Sequence, residues 1–139
     1  MSYATQQDLI DRYGEAEITA VADRDGDGAI DAEVVAGAIA DAGTLIDGYV
    51  GGRYALPLAT APALLTQLAC AIARYRLHKD SPPEWIAKDN DAALRTLRDI
   101  ADGRLALPVG EAETPAPASS GIQIVGPDRV FSQDTLKGF

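Results

Sequence analysis

Apolar residues recur at spacings of three and four in several stretches of the chain, which predicts a mainly α fold. The clearest stretch spans residues 31–50, and its apolar positions are Val35, Ile39, Ala42, Ile46 and Tyr49. Three more stretches, at about 5–13, 62–77 and 82–101, have the same periodicity, and residues 15–21 add one or two helical turns. The pattern predicts a small body of four to five helices over residues 1–108.

Residues that typically begin and end helices flank these stretches. Thr5 with Asp8, and Ser81 with Glu84, have the spacing of capping boxes. The pair Gly51-Gly52 predicts a left-handed stop after the helix at 31–50. The inward face of the last helix is predicted to consist of Trp85, Ile86, Ala93, Leu94, Leu97 and Ile100.

Two segments that follow helices are similar to each other, Gly-Arg-Tyr-Ala-Leu-Pro-Leu at 52–58 and Gly-Arg-Leu-Ala-Leu-Pro-Val at 103–109. One interpretation is a duplicated unit of a helix and an arm. The favoured interpretation is that glycine ends each helix, proline prevents its resumption, and the apolar residues pack back on the last turn.

The composition changes after Pro108. Residues 109–121 are rich in Pro, Ala, Ser and Glu, which is typical of a flexible linker. Residues 122–139 form a predicted C-terminal arm, in which Ile122 and Ile124 alternate with a polar residue as in a β-strand. A short strand or hairpin is too small to be stable alone, so we expect the arm to dock on a partner. The predicted docking residues are Ile122, Ile124, Val130, Phe131, Leu136 and Phe139.

Composition and charge narrow the functional classes. Alanine supplies 25 residues, whereas Leu, Ile, Val and Phe together supply only 32 of 139, so the core should be thin. The formal net charge of −9 arises within residues 1–50, which contain 11 acidic residues and only two arginines. Such a chain is a poor candidate for binding DNA through its phosphates. Without a membrane span or a signal peptide pattern, we expect a cytoplasmic protein that has no membrane partner.

An aspartate-rich loop at residues 23–31 is the best candidate for a metal site. Asp23, Asp25, Asp27 and Asp31 occupy positions 1, 3, 5 and 9 of a calcium loop, and a glycine stands at position 6. Position 12, where a bidentate Glu is expected, is Val34. The candidate ion is Ca²⁺ or Mg²⁺. The alternative, which we favour, is a turn whose carboxylates accept backbone N–H groups and whose last Asp caps the next helix.

Residues suited to catalysis are few, so we do not expect an enzyme and predict no catalytic residues. The single cysteine, Cys70, lies in an apolar stretch and is predicted to be a buried thiol. The single histidine, His78, lies at a polar helix end, where a solvated surface position is expected. The sequence contains no phosphate loop, dinucleotide fingerprint or nucleophile elbow.

Five segments, spread over essentially the full length, together resemble a family of Mu-like bacteriophages and prophages. These are Tyr3-Ala4-Thr5 with Asp8-Leu9-Ile10, the loop at 23–28, residues 46–49 followed by 52–58, residues 73–77, and residues 131–139. Families of this kind are encoded among phage head and tail genes.

The resemblance implies a structural protein of the virion, a head-tail connector or adaptor that forms a ring docked on the portal. It implies a homo-oligomer, usually of twelve copies, with the portal and a tail-side connector or terminator protein as partners. DNA would pass through the bore without sequence-specific binding. The expected location is the head-tail junction of the virion, with the host cytoplasm as the place of assembly. The alternative from another class is a small calcium-responsive binding module that uses the loop at 23–31.

Overall fold

The computed structural model describes residues 1–109, which form five α-helices and no β-strand. The helices are α1 Gln6–Tyr13, α2 Glu15–Ala22, α3 Ala32–Val50, α4 Ala63–Leu77 and α5 Glu84–Ala101. The prediction of a mainly α fold with four to five helices is therefore confirmed. The predicted strand or hairpin in residues 122–139 lies outside the described residues.

Helices α3, α4 and α5 pack against one another and form the centre of the body, with α1 packed against α3 and α4 and α2 packed against α3. The apolar stripe of α3 is buried as its spacing predicted, except for Tyr49, which is only half-buried. Many of the buried positions are alanines, which bring helix backbones close together but fill little volume. The largest fully buried side chains are Leu9, Ile18, Ile46, Leu65, Ile72, Leu77, Ile86, Leu97 and Ile100.

The first predicted capping box is confirmed and the second is wrong. The Thr5 hydroxyl accepts the N–H of Asp8 at 3.2 Å, and the Asp8 carboxylate accepts the N–H of Thr5 at 2.8 Å. At α5 the residue before the helix is Pro83, which has no side-chain acceptor, and Ser81 makes no cap. Ser81 stands three residues ahead of the first helical residue, so its hydroxyl is too far along the chain to meet the first turn.

The predicted left-handed stop after α3 is also wrong. Gly51 remains right-handed, with φ −62° and ψ −18°, and its N–H donates to the Asp47 carbonyl at 2.8 Å. The chain leaves the helix through further turns, in which the N–H groups of Arg53 and Tyr54 both donate to the carbonyl of Val50 at 3.0 Å. These added hydrogen bonds tighten the helix end without a residue of positive φ.

The two similar segments at 52–58 and 103–109 lie against each other. The backbone N–H of Leu107 donates to the Tyr54 hydroxyl at 3.0 Å, and the Arg53 guanidinium covers Gly103. Matched positions, however, differ in exposure: Tyr54 is buried where Leu105 is exposed, and Leu56 is exposed where Leu107 is buried. Matched residues of the two segments therefore have different places in the core, which disfavours the interpretation as a duplicated unit.

Tyr54→Phe should lower the free energy of unfolding by about 1–2 kcal/mol, because it leaves the buried N–H of Leu107 without its acceptor. Chemical denaturation measures this loss. Tyr49→Phe is the matched control, since it removes a hydroxyl at a half-buried position of α3 and should change stability by less than about 0.5 kcal/mol. Equal stability of the Tyr54→Phe protein and the wild type would contradict the contact.

Candidate functional site

The aspartate loop, residues 23–31, connects α2 to α3 and is folded around the side chain of Asp23. One carboxylate oxygen of Asp23 accepts the N–H groups of Gly26 at 2.7 Å and Asp27 at 3.2 Å. The other accepts the N–H of Gly28 at 2.8 Å. Gly26 and Gly28 have φ of 78° and 80°, a conformation that glycine adopts without steric cost. The loop thus has the hydrogen-bonding pattern of a capped turn.

Three of the four predicted metal ligands lie close together. Carboxylate oxygens of Asp23, Asp25 and Asp27 come within 4.8 Å of one another. Asp31 is engaged elsewhere, because its carboxylate accepts the N–H of Arg24 at 2.8 Å and makes no side-chain cap on α3. Val34, at the closing position, packs against the core instead. The arrangement offers part of a hard-cation site, and metal binding by these residues stays a prediction.

Backbone hydrogen bonds and neighbouring carboxylates shift the pKa values of Asp23 and Asp25 in opposite directions. Hydrogen bonds from backbone N–H groups, above all that of Gly28, lower the pKa of Asp23 below its ordinary value. The N–H of Asp27 lowers the pKa of Asp25, but the Asp23 and Asp27 carboxyls, together with slight desolvation, outweigh it and raise the pKa overall. As pH falls, Asp25 therefore takes up a proton before Asp23 does.

The loop is tied to the helical body by Arg24. Its guanidinium donates to the carbonyl of Leu77, the last residue of α4, at 3.1 Å. His78 follows there, with Nδ1 2.9 Å from the Arg74 carbonyl. It is half-buried, so it is less solvated than its place at a polar helix end predicted. The Arg74 carbonyl also accepts the backbone N–H of His78 at 3.3 Å, so main chain and imidazole meet the same oxygen at the end of α4.

Cys70 is fully buried, as predicted. Desolvation raises the pKa of the Cys70 thiol to about 11. The thiol is therefore protonated at neutral pH and is a poor nucleophile.

A second candidate site is a surface groove between the N-terminal segment, residues 1–6, and α3. Tyr3 and Ala4 are buried against the body, and the Tyr3 hydroxyl donates to the Asp47 carboxylate. Gly43 permits this close approach, because a Cβ there would lie 2.8 Å from the carbonyl oxygen of Met1. The segment is thus held along the helix as one wall of the groove.

The α3 groove has a volume of about 630 Å³ and a mainly apolar lining. Its α3 side is formed by Ala32, Val35, Ala36, Ile39, Ala40, Thr44 and Asp47, and its other side by Met1, Ser2, Ala4, Thr5 and Gln6. Sequence reasoning missed this groove. The signals that could have found it are the apolar pair Tyr3-Ala4 ahead of the helix cap and the small residues on the outer face of α3.

Arg74 is a buried cation that sequence reasoning also missed. It forms two hydrogen bonds of 2.8 Å with the Glu17 carboxylate. Its guanidinium lies 4.0 Å from the ring centre of Tyr13 and 4.4 Å from that of Trp85. Trp85, predicted to face the core, has 55% of its surface exposed because it stacks over this cation at the edge of the body. The available signal was its position four residues after Cys70, because residues four apart lie on the same face of a helix and Cys70 was predicted to be buried.

Most acidic residues of the first third of the chain lie on the surface. Those that are exposed are Asp11, Glu15, Asp25, Asp27, Glu33 and Asp41. Because few cations lie among them, the surface around α2, the aspartate loop and the start of α3 is strongly negative. Such a surface repels the phosphate backbone of DNA.

The predicted docking residues, Ile122 to Phe139, lie outside the described residues. The last described residue, Val109, packs against the core beside buried Leu107. The described residues therefore end two positions after the contact of Leu107 with Tyr54, which itself follows α3 by four residues.

Comparison with known proteins places the chain among proteins of Mu-like phages. The sequence model described as Bacteriophage Mu, Gp36 matches residues 3–125. The chain is 33% identical over 137 residues to the Mu-like prophage FluMu protein gp36 of Haemophilus influenzae, covering 99% of this chain and 97% of the relative. It is also 33% identical over 141 residues to gene product J of Escherichia phage Mu, covering 100% and 99% of the two chains.

The relatives and this chain match along nearly their whole lengths, so the likeness extends to both the helical body and the C-terminal region. Among the described residues, no helix is both long and apolar enough to cross a membrane. The family match covers most of the chain and both relatives come from Mu or a Mu-like prophage. The protein belongs to the bacteriophage Mu Gp36 family.

Proposed function

We propose that the protein is a structural component of the phage particle, a head-tail connector that forms a ring on the portal. The observation that carries the proposal is the family match over residues 3–125, together with two relatives from Mu-like phages that align end to end. Its partners would be further copies of itself, in a ring of about twelve, the portal, and a connector or terminator protein on the tail side. It would assemble in the host cytoplasm and reside at the head-tail junction.

The acidic surface suits a ring through which DNA passes. Repeated around a ring, the exposed carboxylates of the first third would line the bore with negative charge, so that DNA slides past without binding. This proposal requires the aspartate loop to face the bore. A structure of the assembled ring with residues 23–33 on its outer rim would overturn it.

A phage or prophage that lacks this gene tests the proposed function. Electron microscopy of such lysates should show DNA-filled heads and finished tails that remain separate, and the wild-type gene supplied in trans should restore joined particles. The purified protein mixed with portal should form rings under the same microscope. Normal numbers of joined, infectious particles without the gene would contradict the connector role.

The rival function, a calcium-responsive binding module, is favoured by the convergence of three carboxylates in the aspartate loop. It predicts saturable heat when calcium or magnesium is titrated into the protein, and loss of that heat in Asp25→Asn. Asp11→Asn is the matched control, because Asp11 is an exposed carboxylate on α1 away from the loop. A connector needs no metal response, so the absence of binding heat in the wild type would eliminate the rival.

A further inference from the structure

We propose that the α3 groove receives residues 122–127 from the arm of a neighbouring copy of the chain, an inference that rests on the proposed assembly function. The occupant is an extended segment, Ile-Gln-Ile-Val-Gly-Pro, and the acceptor is the surface between residues 1–6 and α3. Each subunit would thereby hold the next one in the ring.

The dimensions of groove and segment agree. The lining runs along α3 from Ala32 to Asp47, which corresponds to about 22 Å at 1.5 Å per residue. Six residues in extended conformation span about 20 Å. Ile122 and Ile124 lie on one face of such a strand, about 7 Å apart. Ala36 and Ala40, one helical turn apart on the exposed side of α3, leave spaces about 6 Å apart that two isoleucine side chains can fill.

The chemistry of the two surfaces also agrees. Val35 and Ile39 supply the apolar floor of the groove. The single charged side chain of its lining, Asp47, is already engaged by the Tyr3 hydroxyl and lies 3.5 Å from the amino group of Met1. Residues 122–127 carry no charge. An uncharged, apolar segment can therefore enter the groove without burying an unpaired charge.

The length of the linker favours a neighbouring copy over the same copy. The described body ends at Val109, whose neighbour Leu107 is held at Tyr54, four residues beyond the end of α3. Residues 110–121 reach about 40 Å when extended, which exceeds the roughly 34 Å diameter expected for a body of this size. A path back to the groove on the same α3 needs far less chain than that, and connections within a body are typically about 4–6 residues long. Because arm and groove are different surfaces, the contact is heterologous and can close a ring.

Cysteine cross-linking between two separately tagged full-length proteins tests this inference. One protein carries Ala40→Cys in the groove and the other Ile124→Cys in the arm, and the two are co-expressed, purified and mildly oxidised. We expect a covalent heterodimer at about ten times the yield of a control pair that combines Ala20→Cys with Ile124→Cys, since disulfides form only between closely placed Cβ atoms. Ala20 is exposed on α2 and lies outside the groove. Cys70 is buried and remains in every protein.

Two results would overturn the inference. One is a heterodimer yield no greater than that of the control pair. The other is a disulfide within one chain, with no cross-link between chains, in a protein that carries both Ala40→Cys and Ile124→Cys, because it places the arm on its own groove. As a second measurement, Ala40→Trp should fill the groove and shift the protein to monomers in sedimentation, whereas Ala20→Trp should leave its oligomers unchanged.

Failure of the cross-link and failure of the particle assay lead to different conclusions. If particles require the gene but the cross-link does not form, the connector function stands and this contact is wrong. If the cross-link forms but particles join without the gene, the contact stands and the connector function is wrong.

Discussion

Deletion of residues 119–139 is expected to leave the helical body folded and to abolish the joining of heads to tails. Within the described residues 1–109, the five helices share one hydrophobic core, which Leu107 and Val109 complete at its C-terminal end. The proposed contacts between subunits, by contrast, depend on the apolar residues Ile122 to Phe139. Circular dichroism and thermal melting should match those of the full chain, while infectious particles from a complemented null phage should fall to the level of the null itself.

The matched control keeps the arm and changes only the linker. Replacing residues 111–118 with a Gly-Ser sequence of equal length keeps the number of residues between the body and the arm, and a Gly-Ser sequence is a flexible spacer. This variant should restore particle yield. Normal yield from the 119–139 deletion would show that the arm is dispensable, and loss of helix content would show that the arm completes the body instead.

Replacing Arg74 with alanine should lower the free energy of unfolding by about 3 kcal/mol. The substitution removes the two hydrogen bonds to Glu17 and the cation stacked between Tyr13 and Trp85. It also leaves the Glu17 carboxylate without its partner. Because Glu17 keeps 26% of its side chain exposed, the cost should fall at the lower end of the range for broken buried pairs, about 3–5 kcal/mol. Urea denaturation of the full chain measures the loss.

Arg76→Ala is the control for this substitution. Arg76 lies two residues away on the same helix, is 42% exposed, and pairs with Asp41 at 3.7 Å, so its loss should cost less than about 1 kcal/mol. A double-mutant cycle that adds Glu17→Gln to Arg74→Ala should give a coupling energy of about 1–3 kcal/mol. A loss below about 1 kcal/mol for Arg74→Ala would contradict the role of the cation in joining α1, α2 and α5 to α4.

The helices were predictable because apolar spacing and local caps are properties of neighbouring residues. The stripe of α3 and the box formed by Thr5 and Asp8 are both of this kind. The errors at Ser81 and Gly51 are local, whereas the error at Trp85 arises because its surroundings depend on a distant residue. Trp85 stands on the face of α5 that was expected to be buried. It stacks on Arg74 of α4 instead, and the spacing of residues along α5 does not indicate that partner.

The candidate sites show the same division. The aspartate loop is contiguous, so alternate acids and two glycines sufficed to predict that carboxylates converge there. Even so, the diversion of Asp31 to the Arg24 N–H could not be predicted, because several donors of the loop compete for each carboxylate. The α3 groove was missed because its walls are about forty residues apart in the chain and meet where Gly43 permits contact.

The hydrogen bond between Leu107 and Tyr54 has a mechanical consequence. A pull on the C-terminal region reaches the body at Val109 and then at buried Leu107, whose backbone N–H is held by Tyr54 four residues beyond the end of α3. The force is therefore shared between α3, which Tyr54 follows, and α5, which Leu107 follows. It does not act on the last turn of α5 alone. A subunit held to its neighbours by the arm would transmit strain through its core and keep its fold under tension.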